Sequence, residues 1–280
     1  MKKILIVGAG GMLGTSIATA FQDSNTICLD RNDLDITCYS KVRHQLYKHR
    51  PEYVINCAAY TAVDQAESEP LEAFKINASA VGMLAALVKQ VGATLIHFST
   101  DYVFDGTAVS PYKPTDLTNP LNTYGSSKLQ GEQAIQRTGV KHYIFRISWL
   151  YAPHGKNFFR WVMENDLEEM KVVDNQTGCP TSAVDLADFI THVVYKDPEH
   201  YGIYHFCNKG SMTWFAFAKA ILAHAGLQRK ITPVSEFPTV AKRPEYSVLD
   251  SSMTEVQFGY EITRVSEAIE KTFTAYTEQL

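Results

Sequence analysis

The chain has little that would place it among metal, redox or polyanion-binding proteins. Its five cysteines, Cys28, Cys38, Cys57, Cys179 and Cys207, are scattered and contain no CxxC pair. They read as reduced thiols of a cytoplasmic protein rather than as a disulfide framework. The nine histidines include no HExxH or comparable spacing, so no metal site is placed. A net charge of -4 and a pI near 6.1 supply no basic field for nucleic acid. No apolar run approaches the length needed to span a bilayer, so no membrane partner is expected. The opening "MKKILIVGAGG" breaks its apolar run at Gly8, and no cleavage site follows. It reads as a first strand, not a leader. Internal repeats, low-complexity tracts and a GxxxxGK[ST] phosphate loop are all missing.

What is present is alternation. "KILIVG" (3–8), "TICLD" (26–30), "YVINCAA" (53–59), "TLIHFST" (94–100) and "HYIFRIS" (142–148) are short apolar, β-rich runs. Between them lie stretches with helical spacing, one led by Thr37 as an N-cap and one opening at Pro70, where a missing N–H costs nothing. Apolar strands bracketing helices predict a parallel sheet covered on both faces, a doubly wound, Rossmann-like α/β fold. After about residue 150 the alternation loosens. The expected division is a dinucleotide-binding domain over 1–150, to which later segments can return, and a smaller α/β substrate lobe over 151–280.

"VGAGGMLG" follows the first strand and opens the first helix. Gly8, Gly11 and Gly14 give GxxGxxG, with Met12 and Leu13 inside the loop. The alternative spacing GxGxxG fails because Leu13 stands at its third glycine. Such a loop lets a diphosphate rest on a helix N-terminus. Asp30 ends the second strand about 20 residues on, where an acid can accept from ribose hydroxyls. Arg31 follows at once and could attract a 2′-phosphate, so NADH and NADPH both stay open. "LDIT" (34–37), with Asp35 and Ile36, is placed at the border of the adenine.

Tyr124 and Lys128, in "NTYGSSKLQGE", lie one helical turn apart on one face. With 15 tyrosines in 280 residues, chance can supply such a pair, so context must decide. Thr100 and Asp101 end the fourth strand, at the sheet edge where ligands of this fold gather. A carbonyl that accepts hydride needs a proton donor, and an ammonium close to a phenol lowers its pKa. Tyr124 as acid, Lys128 as its tuning cation and Thr100 as the hydrogen-bonding hydroxyl divide that work.

Together GxxGxxG, "NCAAYTAVDQAE", "STDYVFDG" and "YGSSK" resemble the extended short-chain dehydrogenase/reductases. With "RISWLYAPHGKNF" (146–158), "VVDNQTGCPTSAVDLA" (172–187) and "AKRPEYSVLD" (241–250), the resemblance narrows to the dTDP-4-dehydrorhamnose reductases and runs nearly end to end. It implies NADPH- or NADH-dependent reduction of a dTDP-sugar, with Tyr124 as proton donor and Lys128 as its partner. Thr100 and Asp101 would then face the sugar, and Ala58, Ala59, Tyr60 and Thr61 would line the coenzyme. Trp149 would contact the deoxysugar nucleotide, with Asn157, Gln176 and Arg243 as further substrate contacts. A homodimer is one open option. The related nucleotide-sugar 4,6-dehydratases follow Thr-Asp with glutamate, and Tyr102 in that place removes the base for elimination. An epimerase, and a dinucleotide-binding regulatory subunit like that of methionine adenosyltransferase, stay open.

Overall fold

The computed structural model describes residues 2–22 and 25–279. Its main sheet has six parallel strands. Beginning at one edge they run Gly202–His205, β5 (His142–Ile147), β4 (Thr94–Thr100), β3 (Tyr53–Asn56), β1 (Lys3–Val7) and β2 (Asn25–Leu29). The order reverses at β1, which lies between β2 and β3, so the ligand crevice is set at the carboxyl ends of β1 and β3.

The period of two in "KILIV" decides which side chains meet which layer. Ile4 and Ile6 point into one core with α1 (Met12–Ala20) and the helix Ala183–Lys196. Leu5 and Val7 point into the other, with α2 (Tyr39–His49) and the helix Val81–Gln90. The helix Thr123–Thr138 sends Ile135 into this second layer. Helix α2 starts later than Thr37 and has Cys38 at its cap position without a side-chain cap bond to the backbone. Thr37 instead gives both its N–H and its hydroxyl to Asp35 Oδ1, each at 2.8 Å, closing an Asx turn.

Pro70 occupies the first turn of its helix, as expected from its missing donor. From Pro70 to Gln90 the chain stays helical, with a π-helical stretch over Lys75–Ala80. This 21-residue segment is long and apolar enough to cross a membrane by length and composition, which a search for uninterrupted apolar runs passes over. Half of it is buried, and Val81, Leu84 and Val88 pack into the core beneath the sheet.

Residues beyond 150 serve both regions. Ala183–Lys196 packs on α1 and Gly202–His205 extends the main sheet. A separate core forms around Tyr151, Phe159, Phe217, Ile221 and Ile269, flanked by a parallel strand pair, Glu169–Val173 with Lys230–Val234.

Candidate active site

The glycine loop is shaped by two contacts that no side chain could survive. Gly8 has φ +76°, and a Cβ there would stand 2.6 Å from Ala58 N, at the turn after β3. A Cβ at Gly14 would stand 2.2 Å from the carbonyl oxygen of Gly8. The loop therefore seats α1 tightly behind the crevice, and Gly11 caps that helix with no side chain of its own, leaving N–H groups to face a ligand.

Beside the loop lies a cavity of about 400 Å³, lined by Gly8, Gly11, Asp30, Arg31, Asp35, Ile36, Ala58 and Ala59, and also by Asn32 and Lys75. Asp30 Oδ1 accepts from the N–H groups of Asn32 and Asp33 at 2.7 and 3.0 Å. Those donors hold its carboxyl below the usual range. Asp30 is thus at once a turn former and part of the cavity wall. Lys75, on the π-helical stretch, went unnoticed in the sequence because nothing local marks it.

A second cavity, of about 360 Å³, collects Met12, Leu13, Ala58, Ala59, Thr61, Thr100, Asp101, Tyr124, Lys128 and Trp149. The sequence pattern explains the convergence. β4 delivers Thr100 and Asp101 at its carboxyl end. The helix Thr123–Thr138 starts beside them because Asn122 accepts from Gly125 N at 2.7 Å, a standard N-cap. Gly125 fits there because any side chain would strike the Tyr102 carbonyl at 2.1 Å.

Thr100, Asp101 and Lys128 are buried and Tyr124 is half-buried, and burial sets the protonation of the three that titrate. It raises the Asp101 carboxyl to about 6, against hydrogen bonds from Ser247, Thr100 and Ser148 that favour the anion. Thr100 donates to Asp101 Oδ1 and Ser148 to Oδ2, both at 3.1 Å. Burial and then the Asp101 charge push the Tyr124 phenol above its ordinary value, while bonding to Thr100 opposes them. Burial and Asp101 outweigh any pull of Lys128 on that phenol. Its ammonium donates to the Phe98 carbonyl at 2.6 Å, so its charge is turned toward the strand.

Burial also draws Lys128 down to about 8, against the attraction of Glu132. Unfolded lysine titrates at 10.5. Between these values the unfolded chain holds the extra proton, so this group makes stability rise with pH. Below about 8 both states are charged and the cost of burial is felt in full. The stability of wild type relative to Lys128→Met should therefore climb by about 3 kcal/mol between pH 8 and 10.5. Urea titrations of the two proteins would show it, and a pH-independent difference would mean that the ammonium is well solvated.

The remaining candidates separate. Gln176 and Arg243 line a third cavity of about 440 Å³ with Phe158, Trp161, Trp214 and Phe237. Arg243 meets Asp64 through two bonds, of 3.2 and 2.8 Å. Asn157 lines none of these three cavities. Its oxygen accepts from Arg160 N and its amide donates to Ala152 and His154 carbonyls, so it is committed to capping the helix Phe158–Glu164. Tyr60 is also turned aside, its hydroxyl donating to Glu69 at 2.9 Å. Gly14 shapes the loop from behind.

The match to known proteins spans the same elements. The family model described as RmlD substrate binding domain covers residues 1–278. A dTDP-4-dehydrorhamnose reductase of Burkholderia thailandensis is 39% identical, over 93% of this chain and 94% of that one. The crystal structure of a dTDP-4-dehydrorhamnose reductase from Bacillus anthracis in complex with NADP superposes with a TM-score of 0.94 at 36% identity, covering 98% and 99% of the two chains. An orthologue from Clostridium acetobutylicum gives 0.93 at 40% identity, with the same coverage. A glycine-seated crevice joined to a Thr-Tyr-Lys cavity, carried on a sequence that matches from end to end, places this chain in the dTDP-4-dehydrorhamnose reductase family.

Proposed function

We propose that the chain reduces the C4 keto group of dTDP-4-dehydro-L-rhamnose to give dTDP-L-rhamnose, the precursor of rhamnose-containing surface polysaccharide, using NADPH or NADH in the cytoplasm. The observation that carries this reading is the shared wall. Met12 and Leu13 of the glycine loop stand in the same 360 Å³ cavity as Thr100, Tyr124 and Lys128, so coenzyme and carbonyl would meet there.

The cradle suits a dinucleotide, because Gly8 and Gly14 are backbone-close where a diphosphate would lie. Arg31 and Lys75 border the adenosine side, and Lys128 would hold the nicotinamide ribose. When bound, the reduced nicotinamide supplies a hydride to C4. Everything else falls to the chain. Tyr124 gives its phenolic proton to the oxygen that gains charge. Thr100, which accepts from Tyr102 N at 3.2 Å and donates to Asp101, steadies Tyr124 and the same oxygen. Its bond to Asp101 must yield for it to donate to a substrate. Trp149 closes the sugar side, with Gln176 and Arg243 toward the nucleotide.

Tyr102 favours reduction over 4,6-dehydration. It lies half-buried and edge-on to Tyr124, with ring centres 6.1 Å apart, and offers no carboxylate to abstract a second proton.

Loss of absorbance at the reduced-nicotinamide band, with the 4-keto sugar nucleotide and each coenzyme in turn, tests the activity. Coenzyme consumption is expected only with the sugar nucleotide present. A purified protein that binds coenzyme, leaves it unconsumed and copurifies with an adenosyltransferase would mark a regulatory subunit instead. Lys128→Ala should weaken coenzyme binding, read by fluorescence titration, and lower turnover with it. Unchanged binding would remove Lys128 from the coenzyme site.

A further inference from the structure

Trp149 sits in the catalytic cavity with a backbone φ of +47°, a left-handed conformation that bulky residues rarely adopt and that persists only when the surroundings enforce it. Three features do so. The indole lies face to face with Trp214, ring centres 3.7 Å apart and planes 9° from parallel. Its Nε1–Cε2–Cζ2 side fills the space above Gly178, where a Cβ would come within 2.5 Å of the ring. Its carbonyl accepts from Thr181 N at 3.2 Å.

The local pairings make one frame of these features. Thr177–Gly178 pairs antiparallel with Met212–Thr213, register Gly178 to Met212, which brings Gly178 and Trp214 to the same spot. Leu150–Tyr151, directly after Trp149, pairs with Thr181–Ser182. Thr213 caps the helix that Trp214 opens, accepting from Ala216 N at 3.1 Å. Trp214 is further backed by Phe158, at 4.7 Å between ring centres. Trp214 borders the cavity of Arg243 rather than that of Tyr124.

We infer that Trp214 is a positioning residue for the reduction: it holds the strained Trp149 indole, with Gly178 as its slot, so that the sugar of the nucleotide substrate meets a fixed wall opposite Tyr124. The inference rests on the proposed reaction, but the hold on Trp149 can be read without it.

The chain has three tryptophans, so Trp161→Phe combined with a change at 214 leaves Trp149 as the sole emitter. In Trp161→Phe/Trp214→Ala, acrylamide should quench Trp149 faster and its anisotropy should fall. Trp161→Phe/Trp214→Phe, which keeps a stacking ring, should retain the protected signal. Equal quenching in the two proteins would overturn the inference whatever the activity.

Kinetics give the second arm. Trp214→Ala should raise KM for the sugar nucleotide about 3- to 10-fold, the worth of one aromatic pair, with kcat and the coenzyme dissociation constant near wild type. Trp214→Phe should recover most of the loss. Gly178→Ala, which drives a methyl group into the indole, should copy Trp214→Ala. In a Trp149→Ala background the Trp214 effect should vanish, because both changes remove the same wall. Additive losses would show Trp214 touching substrate itself and would overturn the positioning role. Wild-type protein silent with the sugar nucleotide, alongside protected Trp149 fluorescence, would sink the reaction and leave the Trp149–Trp214 hold standing.

Discussion

Tyr124→Phe is expected to cost about 10²- to 10⁴-fold in turnover, the range for one lost general acid, with coenzyme binding nearly unchanged. The substitution removes only the hydroxyl. The ring keeps its edge-to-face packing on Tyr102, and the helix keeps its Asn122 cap. Burial and the Asp101 charge hold the phenol protonated at neutral pH, so it starts as a loaded but weak acid. Asp101, raised to about 6, is ionised at pH 7 and becomes neutral as the pH falls through that value. Its charge then stops opposing phenolate formation, so Tyr124 becomes a stronger acid. The rate of the chemical step in wild type should therefore rise modestly toward pH 5.5, and that rise should be missing in Tyr124→Phe. Single-turnover mixing of preformed coenzyme complex with sugar nucleotide reads the step directly. Wild-type rates in Tyr124→Phe would take the proton donor out of this residue.

The elements legible in the sequence are those whose cause is local. β1 reads from the alternation of Ile4, Leu5, Ile6 and Val7, whose side chains part into opposite cores. The glycine loop reads from its place between strand and helix, and Tyr124 and Lys128 share a cavity because four residues make one turn. Part of what escaped depends on distant partners, and part on a short-range choice between two bonding patterns. The bond from Lys128 to the Phe98 carbonyl spans 30 residues, and the Asp101 charge that joins burial in raising the Tyr124 phenol comes from another element. Gly178 looks like an ordinary turn glycine until the Trp149 ring is placed on it. Asn157 precedes an aromatic helix, where the same amide can bind a ligand or cap the turn, and its four partners within five residues show capping. Thr37 likewise bonds at short range, to Asp35, while Cys38 takes the cap position.

The second large effect lies beneath the site. Arg146, on β5, grips Glu132, one turn beyond Lys128, through two parallel bonds of 2.9 and 2.7 Å, with both side chains at 4% exposure or less. The guanidinium also donates to the Pro114 carbonyl at 3.2 Å and lies over the Phe104 ring. Arg146→Met would strand a buried carboxylate, and stability should fall by about 3–5 kcal/mol in denaturant titrations at pH 7. Glu132→Leu/Arg146→Met should recover most of that loss, since two apolar side chains have no charge to desolvate. Function should not recover with it. Glu132 supports the Lys128 ammonium against burial, so the restored double variant should lose coenzyme affinity at a lower pH than wild type, its alkaline limb moving below about 8. A double variant with wild-type stability and an unmoved alkaline limb would reduce the ion pair to packing, whereas a shifted limb makes it the means by which β5 keeps Lys128 charged at neutral pH.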